Sequence, residues 1–249
     1  MRSLLIYIYH LRFRLFKRII PSILRKEIFF SKNQIVNLGF CKISLNLENS
    51  IDREIYLKGF YEKEQIEYLH KISKNERIEY FLDIGSYIGY YSLYFSSIKN
   101  IHAFEPNETN FKYLQKNIEL NNINITAHNT ACSDTTSDKL IWYTDENKMG
   151  GSTIYYENDP ELLKYDKKNI KFKNIKTKKL DDVIDVKNKS ILIKIDVERH
   201  EFSVLLGAYR KTLKENKVIM QIEIKKELEN KIFSFLEENN FKFINSISH

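Results

Sequence analysis

Three groups of residues in this chain have types and spacings suited to chemistry. The first is Asp83-Ile84-Gly85-Ser86-Tyr87-Ile88-Gly89, where an apolar run ends in an acid and two glycines before turning amphipathic. Glycine has no side chain to hold a ligand off, so such a turn brings backbone amides and a helix N-terminus close to a polar or anionic group. The spacing is Asp-x-Gly-x-x-x-Gly, which departs from the Gly-x-Gly-x-x-Gly that cradles a pyrophosphate. A looser loop with a preceding acid suits a nucleoside that carries an ammonium and a carboxylate, as S-adenosylmethionine does. The second group is Glu105, 20 residues beyond Gly85, where a doubly wound nucleotide-binding unit needs a carboxylate for ribose hydroxyls. The third is Asp196, Glu198 and Glu223 with His200, lying at the ends of two apolar runs. Such carboxylates can polarise an acceptor hydroxyl, hold a divalent cation, or cap helices and bind a ligand amine, and His200 is a further candidate base at physiological pH.

Positioning these groups requires strands that end where they begin. Short apolar runs at residues 81–84, 100–104, 123–128, 190–196 and 218–224 read as strands, with a last one at 241–246. Between them, helical spacing appears at Ile66, Leu69 and Ile72, at residues 91–95, at Phe111, Leu114 and Ile118 behind a capping Asn107, at Phe202, Leu205 and Leu206, and over 226–238. Residues 34–47 alternate as a strand or hairpin. In this topology the loop after the third strand borders the base of a bound nucleoside, so Ser133 and Asp134 are candidate contacts. Residues 139–180 fit no simple strand-helix-strand repeat. They form an insertion suited to acceptor binding or a mobile lid, with Trp142, a Met149-Gly150-Gly151-Ser152 turn and eight lysines against one acid over 164–179.

Composition narrows the class. The chain has 249 residues, 43% of them apolar, and carries a formal charge of +7. Seven basic residues and no acid fall within residues 1–26, so the other 33 basic residues balance the 33 acids. The excess therefore sits in a leader and not on a domain-wide face, which argues against a nucleic-acid partner. Leu4, Ile8, Leu11, Leu15 and Ile19 place the leader on a basic amphipathic helix ending at Pro21, suited to packing on a protein surface or lying on an anionic membrane. No apolar run approaches the ~20 residues that span a bilayer. Cys41 and Cys132 lack metal-ligand spacing and imply reduced thiols, so a cytoplasmic location is expected, with peripheral contact to the membrane through residues 1–26. Residues 1–50 read as an N-terminal extension and 51–249 as the main domain.

These residues resemble the FkbM family of S-adenosylmethionine-dependent methyltransferases. The resemblance runs from Gly59-Phe60-Tyr61-Glu62 through Asp83-Ile84-Gly85 with Gly89, His102-Ala103-Phe104-Glu105-Pro106, Leu114, Asn117, Asn121, Ala131 and Leu180-Asp181. It continues in Lys194-Ile195-Asp196-Val197-Glu198 with Glu201, Leu205, Gly207 and Ala208. Two departures stand out: Ser86-Tyr87 where the family usually has Ala-Asn, and Arg199-His200 where it tends to have Gly-Ala. The resemblance implies an α/β, Rossmann-like class I methyltransferase fold with a mostly parallel central sheet and an insertion between its third and fourth core strands. It also implies O-methylation of a sugar or polyketide hydroxyl. Asp83, Gly85, Ser86, Gly89, Glu105, Ser133 and Asp134 are then the expected cofactor-binding residues, and Asp196, Glu198 and His200 the catalytic ones, with no metal ligand assigned. The acceptor is a small molecule or glycan, with a protein, RNA or other small molecule as the alternative. A non-catalytic, membrane-docked nucleotide binder is the competing class.

Overall fold

Side chains of β-branched and aromatic type dominate the runs that form the central sheet, and burial on both faces explains why they show little polar alternation. The computed structural model describes residues 20–21, 32–143, 153–154 and 171–247. The leader helix expected over residues 4–19, the Met149-Gly150-Gly151-Ser152 turn and the start of the lysine run lie outside the described residues.

The described chain opens with an antiparallel hairpin, β1 (Asn33–Asn37) and β2 (Lys42–Asn46), followed by helices α1 (Ser50–Lys58) and α2 (Lys63–Asn75). Then come β3 (Tyr80–Ile84), α3 (Tyr90–Tyr94), β4 (Asn100–Phe104), α4 (Glu108–Asn121) and β5 (Thr126–His128). A second sheet follows, from β6 (Ala131–Cys132), β7 (Ser137–Tyr143), β8 (Thr153–Ile154) and β9 (Lys171–Lys178). After α5 (Leu180–Val183), β10 (Ser190–Ile195) leads into α6 (Glu201–Ala208), which ends in a π-helical turn, Tyr209–Leu213. β11 (Lys217–Ile222), a 3-10 turn (Lys226–Leu228) and α7 (Glu229–Glu238) complete it.

The central sheet runs β11-β10-β3-β4-β5, parallel throughout. From β3 the chain steps outward to β4 and β5, then returns to β10 and β11 on the other side. That reversal puts a crevice beyond the carboxyl ends of β3 and β10, the place where open α/β sheets bind ligands. Helices cover both faces, over one core that includes Phe81, Leu93 and Leu192 and another that includes Leu82, Ile193 and Val204. The insertion between the third and fourth core strands is the four-stranded sheet β6-β9-β7-β8, in which β9 pairs antiparallel with β7 and parallel with β6.

The hairpin at 34–47 packs into the first of these cores. Ile43, Leu45 and Leu47 are fully buried there, and the Asn117 side chain accepts from Ser44 N at 2.7 Å while donating to Ile88 O at 2.9 Å. One expected element is absent: residues 241–247 are not a strand. Asn240, at φ 64, turns the chain out of α7, Phe241 packs against the second core, and Phe243 and Ile244 stay exposed. Alternating side chains make no ladder without a neighbouring strand, and β11 is the edge of the sheet on this side.

Candidate active site

Asp83 is the penultimate residue of β3 and is only 1% exposed. Its Oδ2 accepts from Ser92 N at 3.0 Å and Ser92 Oγ at 2.6 Å, which ties the strand end to α3. Its Oδ1 is buried without a hydrogen-bond partner, as is the Oγ of Ser86. Burial pushes the Asp83 carboxyl above the ordinary carboxylate range, opposed by the nearby Lys194 ammonium.

Two glycines shape the turn. Gly85 sits at φ 83, and a Cβ there would meet the carbonyl oxygen of Asp196 at 1.8 Å, so only glycine lets the ends of β3 and β10 converge. Gly89 caps α3 at φ 86, where a Cβ would strike Leu114 Cδ1 at 2.5 Å; its task is packing on α4.

Glu105 follows β4 and is 6% exposed. Tyr87 N donates to its Oε2 at 2.9 Å, and Asn107 N to its Oε1 at 2.8 Å. Asn107 caps α4 as expected, its Oδ1 accepting from Thr109 N at 2.9 Å. Burial raises the Glu105 carboxyl to about 8 despite these donors. Tyr87 takes a left-handed conformation, φ 51, where the usual asparagine of the resembled family would be at ease. Its phenol instead donates to Asp52 Oδ1 at 2.9 Å, while Asn46 N donates to Asp52 Oδ2 at 2.6 Å. The turn is thereby fastened to α1 and to the hairpin.

At the end of β10, Lys194 Nζ lies 2.9 Å from Asp196 Oδ2 and 4.6 Å from the Tyr91 ring centre. Burial alone would lower the Lys194 ammonium, but Asp196, Asp83 and Glu62 together hold it above its ordinary value. Burial works against ionisation of Asp196 too, yet Lys194 and a hydrogen bond to Glu223 bring its carboxyl down to about 2. Glu223, just past β11, is pushed up to about 7 by burial and by its contact with Asp196. Lys225 Nζ stands 2.7 Å from Glu223 Oε1 and 3.8 Å from Glu198 Oε2. One oxygen from each of Asp196, Glu198 and Glu223 falls within 4.8 Å of the others, a spacing open to a cation through hard oxygen ligands. Lys194 and Lys225 already offset much of that charge.

Asp83, Gly85, Ser86, Glu105, Asp196, Glu198, His200 and Glu223 line a single cleft of about 300 Å³. Gly89, Ser133 and Asp134 are not in its wall. His200 is buried, 2% exposed, with Nε2 at 2.9 Å from Ser133 Oγ, so Ser133 supports the imidazole from behind. Asp134 accepts from Ser133 Oγ at 2.9 Å. Gly207 makes this possible, since a Cβ on it would sit 1.9 Å from Ser133 O.

A family profile described as the methyltransferase FkbM domain matches residues 83–243. The chain belongs to the FkbM methyltransferase family. No curated protein matches it. The FkbM domain thus begins at Asp83, in the first glycine turn, and runs through every carboxylate of the cleft except Glu62, and the five-stranded parallel sheet is the Rossmann-like core expected for it.

Several wall residues of the FkbM cleft carry no isolated signal in the sequence. Glu62 accepts from Tyr91 Oη at 2.6 Å, and both enter the wall with Tyr61 and Lys194. Glu201 is buried, and its Oε1 accepts from Val197 N at 3.3 Å and Arg199 N at 3.1 Å; this holds the loop in which Glu198 and Arg199 have φ of 50 and 75. Arg199 itself pairs outward with Glu227 at 2.8 Å. Tyr61, Glu62, Lys194 and, behind the wall, Glu201 had a pointer only as members of the resembled motif.

Proposed function

We propose that this FkbM methyltransferase uses S-adenosylmethionine and methylates a hydroxyl of a sugar or glycan precursor. The observation that carries the cofactor reading is the pair of orphaned acceptors, Asp83 Oδ1 and Ser86 Oγ, buried in residues of the cleft wall. A buried polar atom without a partner costs about 1–3 kcal/mol, and a ligand ammonium or hydroxyl that donates to it recovers that cost. Asp83 and Ser86 would hold the amino-acid end, and Glu105 the ribose. When bound, the cofactor supplies a methyl group already activated on a sulfonium.

What remains for the protein is to hold the acceptor oxygen in line and to take its proton. Orientation supplies up to roughly 7–11 kcal/mol in the best intramolecular cases, and a positioned base adds about 10²- to 10⁴-fold. In the cleft, the Asp196–Glu223 pair is the proton acceptor best matched to neutral pH, with Lys194 keeping Asp196 ionised. Glu198 and His200 stand in the same wall as the other candidates. Tyr61, Tyr90 and Tyr91 line the same cleft, Tyr61 half-buried and the other two buried, and an aromatic ring beside acids suits a sugar, whose C–H faces pack on aromatics while its hydroxyls donate to carboxylates.

Calorimetry with S-adenosylmethionine, S-adenosylhomocysteine and NAD tests the cofactor: the first two bind, and binding of NAD alone would overturn the reading. A screen of glycan precursors by mass, looking for a gain of one methylene, tests the acceptor. No described helix is long and apolar enough to cross a membrane. Peripheral membrane contact by residues 1–26 on the cytoplasmic face is proposed from the leader's charge, and liposome flotation that is equal with and without those residues would remove it.

A further inference from the structure

A second, larger hollow of about 1410 Å³ runs along the outer edge of β11, between α2 and the stretch from α7 to residue 247. Four residues line both this groove and the cofactor-type cleft: Glu62, Lys194, Asp196 and Glu223. They form a charged throat. Beyond it the inner wall is largely apolar, with Leu69 and Ile72 from α2, Ile219 and Met220 from β11, and Leu236 and Phe241 on the far side, below an exposed charged rim. Phe243 and Ile244, 65% and 66% exposed, stand at its rim.

We infer that the groove holds the body of the acceptor, and that this acceptor carries its hydroxylated head on an elongated apolar chain. The inference rests on the reading above, that the cleft transfers a methyl group to a hydroxyl.

Size is the first argument. Ordinary small-molecule pockets measure about 300–1,000 Å³, and this groove exceeds them while opening into a cleft already at the low end. Polarity is the second. A cluster of carboxylates and an ammonium closes the throat end, where a hydroxyl must meet the base, and apolar side chains follow along the sheet edge. The other charged residues of the lining, Lys214, Lys226, Glu229, Glu237, Glu238 and Lys242, are exposed at the groove's rim. The third is a row of side chains in register across three strands, Asp83, Lys194 and Gln221. It links the two hollows across the sheet, and Gln221 Oε1 is a buried acceptor without a partner, placed to take a proton donor from the head group. A strand from a second copy added to the β11 edge would satisfy that edge, but it would have no need of a throat into the cleft.

The full chain is titrated by calorimetry with octyl β-glucoside, below its micelle concentration, and with methyl β-glucoside, which has the same head and no chain. Burying even a few methylenes is worth more than about tenfold in affinity, so the octyl compound binds at least about tenfold tighter. The double variant Phe243→Asp/Ile244→Asp, at two exposed positions, loses that preference while S-adenosylmethionine binding is unchanged. Leu206→Asp, at an exposed apolar position on α6, keeps it. Equal affinity of the two glucosides, no binding of either, or the same loss in both variants overturns the inference. So does light scattering that finds a dimer dissolved by the double variant, with no preference for the octyl chain. The preference is read without methyl transfer. Failure of S-adenosylmethionine to bind would instead sink the cofactor reading and leave the groove result to stand alone.

Discussion

Glu223 and Asp196 occupy adjacent strand ends, and their different surroundings set them apart chemically. Lys194 sits against Asp196 and keeps it ionised to about 2, while burial and that same negative neighbour lift Glu223 to about 7. In the proposed reaction the Glu223 carboxylate is the form that accepts the hydroxyl proton, so kcat should rise as pH increases through about 7. Glu223→Gln is expected to lower kcat about 10²- to 10⁴-fold and to remove that limb of the profile, as measured by steady-state methyl transfer across pH 5–9. Unchanged turnover would move the role to Glu198 or His200. Glu105→Gln should weaken S-adenosylmethionine binding roughly 2- to 10-fold in calorimetry at neutral pH, the equivalent of one hydrogen bond to a carboxyl that burial keeps protonated. Asp83, Glu105 and Asp196 were legible in the sequence because each ends an apolar run at a spacing the topology requires. Lys194 has a place in the resembled motif but no readable role, since a lysine inside the run at 190–196 carries no mark that it will be buried between two carboxylates. Ser133 was read from its loop position, and only the fold shows it behind His200.

Close approach between elements depends on a few atoms. A Cβ at Gly85 collides with the Asp196 carbonyl at 1.8 Å and would also hold a left-handed φ of 83. Gly85→Ala is therefore expected to destabilise the fold by roughly 2–5 kcal/mol in urea titration and to part the ends of β3 and β10. Tyr87→Phe is the milder test. It leaves Asp52 Oδ1 short of its donor in a fully buried position, costing about 1–3 kcal/mol, and it loosens the tie between α1 and the cofactor-type turn. Expected from pattern, the parallel core strands and their helices appear within a few residues of their predicted bounds, because continuous apolar runs between amphipathic segments leave few alternatives. The four-stranded insertion was readable only as a departure from the repeat, since Lys171-Phe172-Lys173-Asn174-Ile175 alternates without naming its partner, 28 to 36 residues away in sequence. Alternation at 241–246 misled for the same reason: a strand is made by its neighbour.

At the scale of the whole molecule, the burial of acids sets the response to pH. Burial raises Asp52 and Glu201 to about 7 and Glu105 to about 8, against ordinary values of 3.8 for the aspartate and 4.5 for the glutamates. All three are closed off from solvent, while Glu223, also raised, is more open and contributes less. In the unfolded chain these carboxyls are ionised by about pH 5, so between there and about pH 8 the folded state binds more protons than the unfolded one. Stability must then fall as pH rises across that window, its share from these groups being fully present below the ordinary carboxylate range and lost as pH passes through 7 to 8. Asp196 acts oppositely, for its carboxyl is depressed to about 2 and stabilises only above about 3.8. The two trends together place the optimum near pH 5, acid of neutrality. Scanning calorimetry at constant ionic strength should show Tm falling by on the order of 10 °C from pH 5 to pH 9. Glu105→Gln, which cannot ionise, should flatten the slope, and a Tm constant or rising over that range in the native chain would mean that these carboxyls are charged in the fold.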